Sequence, residues 1–592
     1  MTEAARDPLA EAFAAYQRGD AAHCVSTLEA HRDAWTNRPD GWLIRGAAAR
    51  SLGRLAEAEA AYLQAIALLP GYPEAWQNLG NLYATCGRHD AAVTAYGKAL
   101  DSREDLVARA QLLTSQAGSA FSAGLIDIAM QAVEEAAAAA PDLGAVHNQR
   151  GKVYWELGHT DRAIDAFRRA TACDPTEALY ATNYLLVSQF SERRGEADLA
   201  ALAAAAAGRI VQGVPDSLRA TFRPPARHPG ERVRIAYLSS DFRASAPGFF
   251  IQSILEGHDR TRFEVWALTT SAVKDALTAK MQGCVDHWVD VSALGPGPLT
   301  QWIREQRIHV LVDLNGYTGG HRLAVFAARA APVQATWLGY EGSTQLPGMD
   351  VFLGDPFVSP PENHGSYSER VLTLPFDFAC YSPPDFAPAV GPSPALRNGY
   401  VTFGSFNKLA KLGPATLALW ARILGSVPES RLLIKWRHAE HPFARNRILA
   451  ALADHGIDGS RVAFRDSSPH AAMLGEYGDV DIALDPMPFS GGATTCDALW
   501  MGVPVITRVG RRFASNHTVS HLRAAGLAEL VAEDDDPYVA IASGLARDVP
   551  ALDRLRQSLR EQVRHSPLCQ PRLFMRPVER HFERLLDEVS RA

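Results

Sequence analysis

The sequence predicts a helical repeat solenoid followed by two tandem α/β units of the Rossmann-like, doubly wound kind. Three observations predict it: a 34-residue period within the first 175 positions, a change to alternating strands and helices at residue 232, and a second start of that alternation near Tyr400. A chain of 592 residues needs more than one core, which agrees with this division. The boundaries read as repeats over 1–175, a helical transition and linker over 176–231, a first α/β lobe over 232–398 and a second over 399–592.

The repeats come first. WLIRGAAARSLGRLAEAEAAYLQAIALLP begins at Trp42 and WQNLGNLYATCGRHDAAVTAYGKAL begins at Trp76. Gly46, Gly53, Ala58, Tyr62 and Ala65 in the first stand where Gly80, Gly87, Ala92, Tyr96 and Ala99 stand in the second. A later copy carries Gly151, Tyr154, Gly158, Ala163, Phe167 and Ala170, a looser one Gly118, Phe121 and Ala129, and Gly19 hints at another before Trp42. This is the tetratricopeptide pattern, in which small residues let paired helices approach and aromatics fill the space beside them. Trp42, Trp76, Tyr62 and Tyr96 read as core. A stacked array leaves a concave groove suited to an extended peptide, with Asn78, Asn81 and Gln149 as groove positions.

TEALYATNYLLVSQF, an alanine-rich helix and the linker FRPPARHPGE make up the transition. RVRIAYLSSDF, FEVWALTT, IHVLVDLNGY and VQATWLGY then read as strands of a first parallel sheet, with helical stretches such as GPLTQWIREQR between them. YVTFGSF, RLLIKW, RVAFRD, VDIALDP and VPVITRV supply a second. Loops at the carboxyl ends of such strands face a cleft, where a ligand belongs.

Bulk properties exclude more than they assign. With 47% hydrophobic and 21% charged residues the chain is an ordinary globular protein. Its net charge of −7 disfavours binding of nucleic acid through bulk electrostatics. Cys24, Cys86, Cys173, Cys284, Cys380, Cys496 and Cys569 are scattered and never form CxxC, so neither a disulfide framework nor a metal site is expected. MTEAARDPLA lacks an apolar leader and no run of about 18 apolar residues occurs, so a cytoplasmic protein without a membrane partner is expected.

The most informative stretch is DPMPFSGGATTCDALWMGVP, residues 485–504. It links the end of a strand to the start of a helix. Gly491 and Gly492 permit positive φ and close backbone approach, and Thr494 and Thr495 offer capping hydroxyls. A helix start with free amides and a positive dipole end is a seat for phosphate. Asp497, in the first turn, reads as an acceptor for ribose hydroxyls, although an acid there also stabilises the helix dipole with no ligand.

RVRIAYLSSDF, HVLVDLNGYTGG, PVQATWLGYEGST, TFGSFNKLAKLGP and LDPMPFSGGATTCDALWMGVPVIT follow the repeats in series. Together they resemble the O-linked N-acetylglucosamine transferase and SPINDLY family over nearly the whole chain. The resemblance implies a GT-B fold and metal-independent, inverting transfer of a sugar from a nucleotide sugar to a protein hydroxyl, with no cofactor beyond that co-substrate. It places Lys411 at the donor phosphates, and Gly491, Gly492, Thr494, Thr495 and Asp497 in the donor loop. It places Leu338 and Gly339 near the sugar, and Asp241 by the acceptor with Asn315, Gly316 and Tyr317 on the same side; Lys411 and Asp241 are then the expected catalytic residues, with Asp241 or a neighbouring polar group positioning or deprotonating the hydroxyl. His287 in VDHWVD reads as a surface or core residue.

Three departures stand out. A family histidine after SSDF falls on Ser245, within RASAPGF, and a second falls on Thr182. Basic positions of the animal transferase fall on His470, Met473 and Glu476. The general base is therefore unassigned, and fewer cations face the phosphates. A donor with one phosphate, such as a cytidine monophosphate nonulosonic acid of the pseudaminic type, fits that deficit. Its carboxylate would be met by Arg437, Arg508, Arg511, Arg512, His517 or His521. Bacterial relatives with this domain order include flagellin-modifying transferases, and the alanine- and arginine-rich composition fits a GC-rich bacterium, so flagellin is an expected acceptor for the repeat groove. UDP-N-acetylglucosamine or GDP-fucose as donor, and a non-catalytic adaptor with a degenerate transferase half, stay open as alternatives.

Overall fold

The computed structural model describes residues 7–219, 222 and 230–591. The stretch 223–229 of the expected linker, the first six residues of the N-terminal reading and Ala592 lie outside the described residues. The chain divides into two compact units: residues up to Tyr154 together with Asp165–Asp174, and Trp155–Ile164 together with the chain from Pro175 onward.

The first unit is built of antiparallel helix pairs. Pro8–Gln17 packs on Ala21–Ala30, Pro39–Ser51 on Leu55–Leu68, Pro73–Thr85 on His89–Leu100, and Leu106–Ser122 on Ile126–Ala139. A Cβ on Gly46 would lie 2.5 Å from Cε1 of Tyr62, and one on Gly80 would lie 2.7 Å from Cε1 of Tyr96. The absent side chains are thus the space each aromatic ring occupies. Gly151 and Phe167 repeat the arrangement. Tyr62 and Tyr96 are buried as expected. Trp42 and Trp76 are only half-buried. Their indole N–H groups donate to the carbonyls of Thr36 and Pro70 at 2.7 and 2.8 Å, so they staple the preceding turn while packing against the edge of the repeat core. Asn81, read as a groove residue, accepts the Tyr96 hydroxyl at 2.8 Å.

The second unit contains two parallel sheets. The first comprises β1 (Val233–Ser239), β2 (Phe263–Thr269), β3 (His287–Asp290), β4 (Val310–Asp313), β5 (Val333–Thr336), β6 (Val351–Gly354) and β7 (Arg370–Thr373), in the order β3-β2-β1-β4-β5-β6-β7. The second comprises β8 (Thr402–Ser405), β9 (Arg431–Lys435), β10 (Val462–Arg465), β11 (Ile482–Leu484), β12 (Val505–Arg508) and β13 (Val531–Ala532), in the order β10-β9-β8-β11-β12-β13. Strand order reverses between β1 and β4 in one sheet and between β8 and β11 in the other. Crossover helices leave on opposite faces at these points, so the loops there part and open a crevice. The loops after β1, β4, β8 and β11 carry the sequence motifs.

Alternation along β1 sends Ile235 and Tyr237 into one core and Ala236 and Leu238 into another. The second of these cores is covered by Ala178–Ser188 and Glu196–Gln212, whose Leu185, Ala203, Ala206 and Ile210 pack with Leu311 and Phe326. These helices, read from sequence as a transition, are a layer of the first lobe. The last helix, Pro571–Arg591, lies beyond the second sheet in sequence but packs on Gly248–Gly257 of the first lobe. A Cβ on Gly257 would sit 2.4 Å from the Pro571 carbonyl oxygen. Glu579 from that helix accepts from His258 Nδ1 at 3.0 Å in a buried pair, and His258 Nε2 meets the Tyr237 hydroxyl at 2.7 Å.

Candidate active site

The donor loop is held by its own polar groups. The Asp485 carboxylate, at the end of β11, accepts from the Gly491 amide and the Thr507 hydroxyl, each at 2.6 Å. Thr416 Oγ1 donates to the Met487 carbonyl, Ser515 Oγ to that of Pro488 and Thr518 Oγ1 to that of Gly491. Ser490 donates to the Ala514 carbonyl through both its amide and its hydroxyl. The loop is therefore fixed before any ligand arrives. Burial raises the Asp485 pKa to about 6, against the pull of the Lys411 ammonium.

Gly491 and Gly492 do not adopt the expected positive φ. Gly491 is required for clearance, because a Cβ there would lie 2.4 Å from Thr495 Oγ1. Gly492 is the N-cap residue of Ala493–Trp500 and has no side chain with which to cap it. The threonines do not cap either: Thr494 Oγ1 donates to Asn407 Oδ1 at 3.1 Å and Thr495 Oγ1 bonds Thr518 Oγ1 at 2.8 Å. As a result the backbone N–H groups of Gly492, Ala493 and Thr494 have no acceptor among the described residues. All three residues line a cavity of about 210 Å³.

Lys411 lines the same cavity. It ends a 3-10 turn, Leu409–Lys411, that follows β8. Its ammonium donates to the Ser490 carbonyl at 2.6 Å and lies 4.4 Å from the Phe489 ring centroid. Burial lowers its pKa to about 8, while Asp485 and Glu341 oppose the drop. Arg447 braces the turn by donating to the carbonyls of Leu409 and Leu412. The structure thus brings Lys411, Gly492 and Thr494 to one wall, with Gly491 and Thr495 directly behind it.

The first lobe supplies the opposite wall through Ala246, Pro247, Phe250, Leu338 and Glu341. Leu338 has φ +64°. A Cβ on Gly339 would lie 2.3 Å from the Leu314 carbonyl oxygen, and one on Gly316 would lie 2.2 Å from Cβ of Tyr340. The two glycines interlock the loops after β4 and β5, so Gly339 buttresses the wall on which Leu338 and Glu341 stand. Glu341 was not singled out by the sequence reading. The available signal is a lone acid in the strand-end loop WLGYEGST.

Other expected site residues lie elsewhere. Asp241 is not on the cavity wall: its Oδ2 accepts from Asn315 Nδ2 at 3.1 Å and its Oδ1 lies 3.5 Å from Arg243. Tyr317 is buried, with its hydroxyl on the carbonyls of Thr344 and Ala203. Asp497 is also buried and off the wall. Tyr381 donates to its Oδ1 at 2.6 Å and His470 Nε2 lies 3.1 Å from its Oδ2, so each of its oxygens already has a partner within the protein. Glu476 pairs with Lys435 and Arg465. His287 stacks on Trp266 and bonds Glu264 at the sheet edge, as its surface reading implies.

Of the groups named for a sugar carboxylate, Arg508 pairs with Asp535 and His521 with the buried Asp377. Arg512 is buried, and Arg511 is exposed and off the wall. His517 does reach the cavity. It is 5% exposed, its Nε2 has no partner among the described residues, and burial beside Lys411 drives its pKa well down, so the ring is neutral at pH 7. Ser245 Oγ accepts the Gly248 amide, and Thr182 Oγ1 donates to the Ala178 carbonyl, so neither replaces an imidazole.

The Glycosyl transferase family 41 model matches residues 204–381 and 393–578, which together are more than half of the chain. The chain belongs to glycosyl transferase family 41. Tetratricopeptide repeat models match 39–82, 73–106 and 144–177. The family-41 fold, a helical repeat array followed by a two-sheet GT-B transferase, is shared with an O-GlcNAc transferase mutant from Thermobaculum terrenum. That structure has a TM-score of 0.76 and 31% identity, over 93% of this chain and 98% of that one. Proteins named as probable UDP-N-acetylglucosamine–peptide N-acetylglucosaminyltransferase SPINDLY, from Solanum lycopersicum and Arabidopsis thaliana, are each 39% identical over 59% and 58% of this chain. The Arabidopsis thaliana relative named SEC is 29% identical over 61% of it. The chain spans about 38% of the length of these curated relatives. No helix among the described residues is long and apolar enough to cross a membrane.

Proposed function

We propose that this protein is an O-glycosyltransferase that moves a sugar from a nucleotide donor in the interlobe cavity to a serine or threonine hydroxyl of a protein held by the repeats. One observation carries the proposal: three amides at a helix start that have no acceptor among the described residues, and the Lys411 ammonium, converge on one cavity at two topological switch points. Such a seat stabilises negative charge as it develops on a departing phosphate. Lys411 stays protonated at pH 7 and so meets the leaving group as a cation.

The finer reading is a donor with a single phosphate, a cytidine monophosphate nonulosonic acid of the pseudaminic type, and flagellin as acceptor. The sparse charge of the wall supports the donor class. Lys408, the other lysine there, is already paired with Glu156, and Glu341 adds a carboxylate facing Lys411. A single phosphodiester sets one negative charge against the Lys411 ammonium, whereas a diphosphate sets two there. His517 offers a hydrogen bond to a neutral or anionic group of the sugar. The flagellin assignment rests on the resemblance stated from sequence.

The names of the plant relatives favour a second reading, in which the donor is UDP-N-acetylglucosamine. Calorimetric titration with CMP, UDP and GDP separates the two, and intact mass of flagellin co-expressed with and without this protein tests the transfer itself. A mass increment of a nonulosonic acid, dependent on Lys411, is the expected outcome. Unchanged flagellin, with none of the three nucleotides bound, overturns the proposal.

A further inference from the structure

Inverting transfer needs a proton acceptor on the side of the sugar opposite the leaving group. The second lobe binds the leaving group through Lys411 and the helix start, so the acceptor belongs on the first-lobe wall. That wall is made of Ala246, Pro247, Phe250, Leu338, Glu341 and Phe378, and among the described residues Glu341 is its ionisable member. Asp241 stands off the wall with its oxygens engaged by Asn315 and Arg243.

We infer that Glu341 is the catalytic base of this transferase, the carboxylate that takes the proton from the incoming serine or threonine hydroxyl. The inference rests on the transfer reading above. As the hydroxyl oxygen forms its bond to the anomeric carbon, the proton passes to the Glu341 carboxylate. The bond from the anomeric carbon to the phosphate oxygen breaks, and its electron pair leaves with the nucleoside monophosphate, against Lys411 and the amides. The proton returns to solvent after the products depart.

The surroundings of Glu341 suit this task. Its position is fixed by Gln189, which donates to the Tyr340 hydroxyl at 3.0 Å and to the Glu341 carbonyl at 3.4 Å, and by the Gly316–Gly339 interlock behind it. Its carboxylate accepts from its own backbone N–H. The titratable groups around it are Lys411, Lys408 and His517 across the cavity and Tyr340 beside it. Burial raises its pKa to about 7 and Lys411 restrains the rise, so the carboxylate is more basic than an ordinary one and ionised above neutrality.

The test compares the wild-type full chain with E341Q, E341D and D241N. Timed intact mass of flagellin with CMP-pseudaminic acid gives kcat and KM from pH 5.5 to 9, and calorimetry gives CMP affinity. E341Q is expected to bind CMP within about threefold of wild type, to lose roughly 100-fold or more in kcat and to lose the rise in rate near pH 7. E341D is expected to recover part of kcat and the pH limb, and D241N to keep the limb. E341Q with kcat within threefold of wild type, or with the limb intact, overturns the role of Glu341 while leaving the donor site standing. So does an E341Q that loses CMP affinity and kcat in proportion, since that marks a binding or structural role. A wild-type chain that binds none of CMP, UDP and GDP and leaves flagellin unmodified refutes the transfer reading, and the inference with it.

Discussion

Lys411 is the group whose removal separates a ligand-binding lysine from a structural one. Its pKa falls from 10.5 to about 8 because the half-buried ammonium is poorly solvated. A fall of that size costs the folded state roughly 3 kcal/mol at neutral pH, and partial access of water to the cavity reduces this to about 1–3 kcal/mol. The folded chain binds fewer protons than the unfolded one between pH 8 and 10.5, so this penalty is present below pH 8 and is relieved as pH rises through that window. Lys411→Met therefore stabilises the ligand-free protein at pH 7 by about 1–3 kcal/mol, and the advantage disappears above pH 10.5. The same substitution removes a charge-assisted bond to the phosphate, worth about 1.5–3 kcal/mol, or roughly a 10- to 100-fold loss of CMP affinity. Wild-type affinity also depends on the protonated lysine, so it weakens about tenfold between pH 7 and 9, whereas that of the variant changes far less over this interval. Calorimetric titration of CMP at the two pH values, with thermal unfolding of the free proteins at pH 7, reads all three effects. A variant that binds CMP within threefold of wild type, or a wild-type affinity that is unchanged at pH 9, refutes the reasoning.

Other substitutions report on the scaffold. Gly491→Ala puts a methyl 2.4 Å from Thr495 Oγ1 and 3.1 Å from Asp485 Oδ1; it is expected to cost about 1–3 kcal/mol and to abolish CMP binding, and an unchanged melting midpoint with full binding counts against a pre-fixed loop. Gly80→Ala drives a methyl into the Tyr96 ring; it should lower the melting temperature of the full chain while CMP affinity stays within twofold, as read by circular dichroism and calorimetry. Tyr381→Phe leaves Asp497 Oδ1 without its 2.6 Å donor and should cost roughly 1–3 kcal/mol in a denaturant titration, an effect that is absent if Asp497 is open to solvent.

Periodicity made most of the architecture legible. The 34-residue spacing of Gly46 and Gly80 fixes where Tyr62 and Tyr96 pack, and the buried runs RIAYLS and DIALD read directly as parallel strands. Partners far away in sequence are what local pattern does not encode. Asp497 meets Tyr381 across 116 residues, and Glu579 meets His258 across 321, so neither the sequestered carboxylate nor the return of the last helix to the first lobe is visible in a window. The helices at 178–188 and 196–212 read as a transition because an apolar face does not name the sheet it covers. The double glycine was legible as a constraint, but composition alone does not separate a need for positive φ from a need for clearance, and the structure shows the latter at Gly491. Glu341 was overlooked because one acid among loop residues carries no period, and its meaning comes from what stands across the cavity.

In the proposed reaction the amides at the start of Ala493–Trp500 and the Lys411 ammonium hold the phosphate of the leaving nucleotide. A crystal structure of the full chain with CMP tests it most directly. Phosphate oxygens are expected about 3 Å from Lys411 Nζ and from the Ala493 or Thr494 nitrogen. A nucleotide bound outside this cavity, or seated in it with its phosphate turned toward the first-lobe wall, contradicts the account.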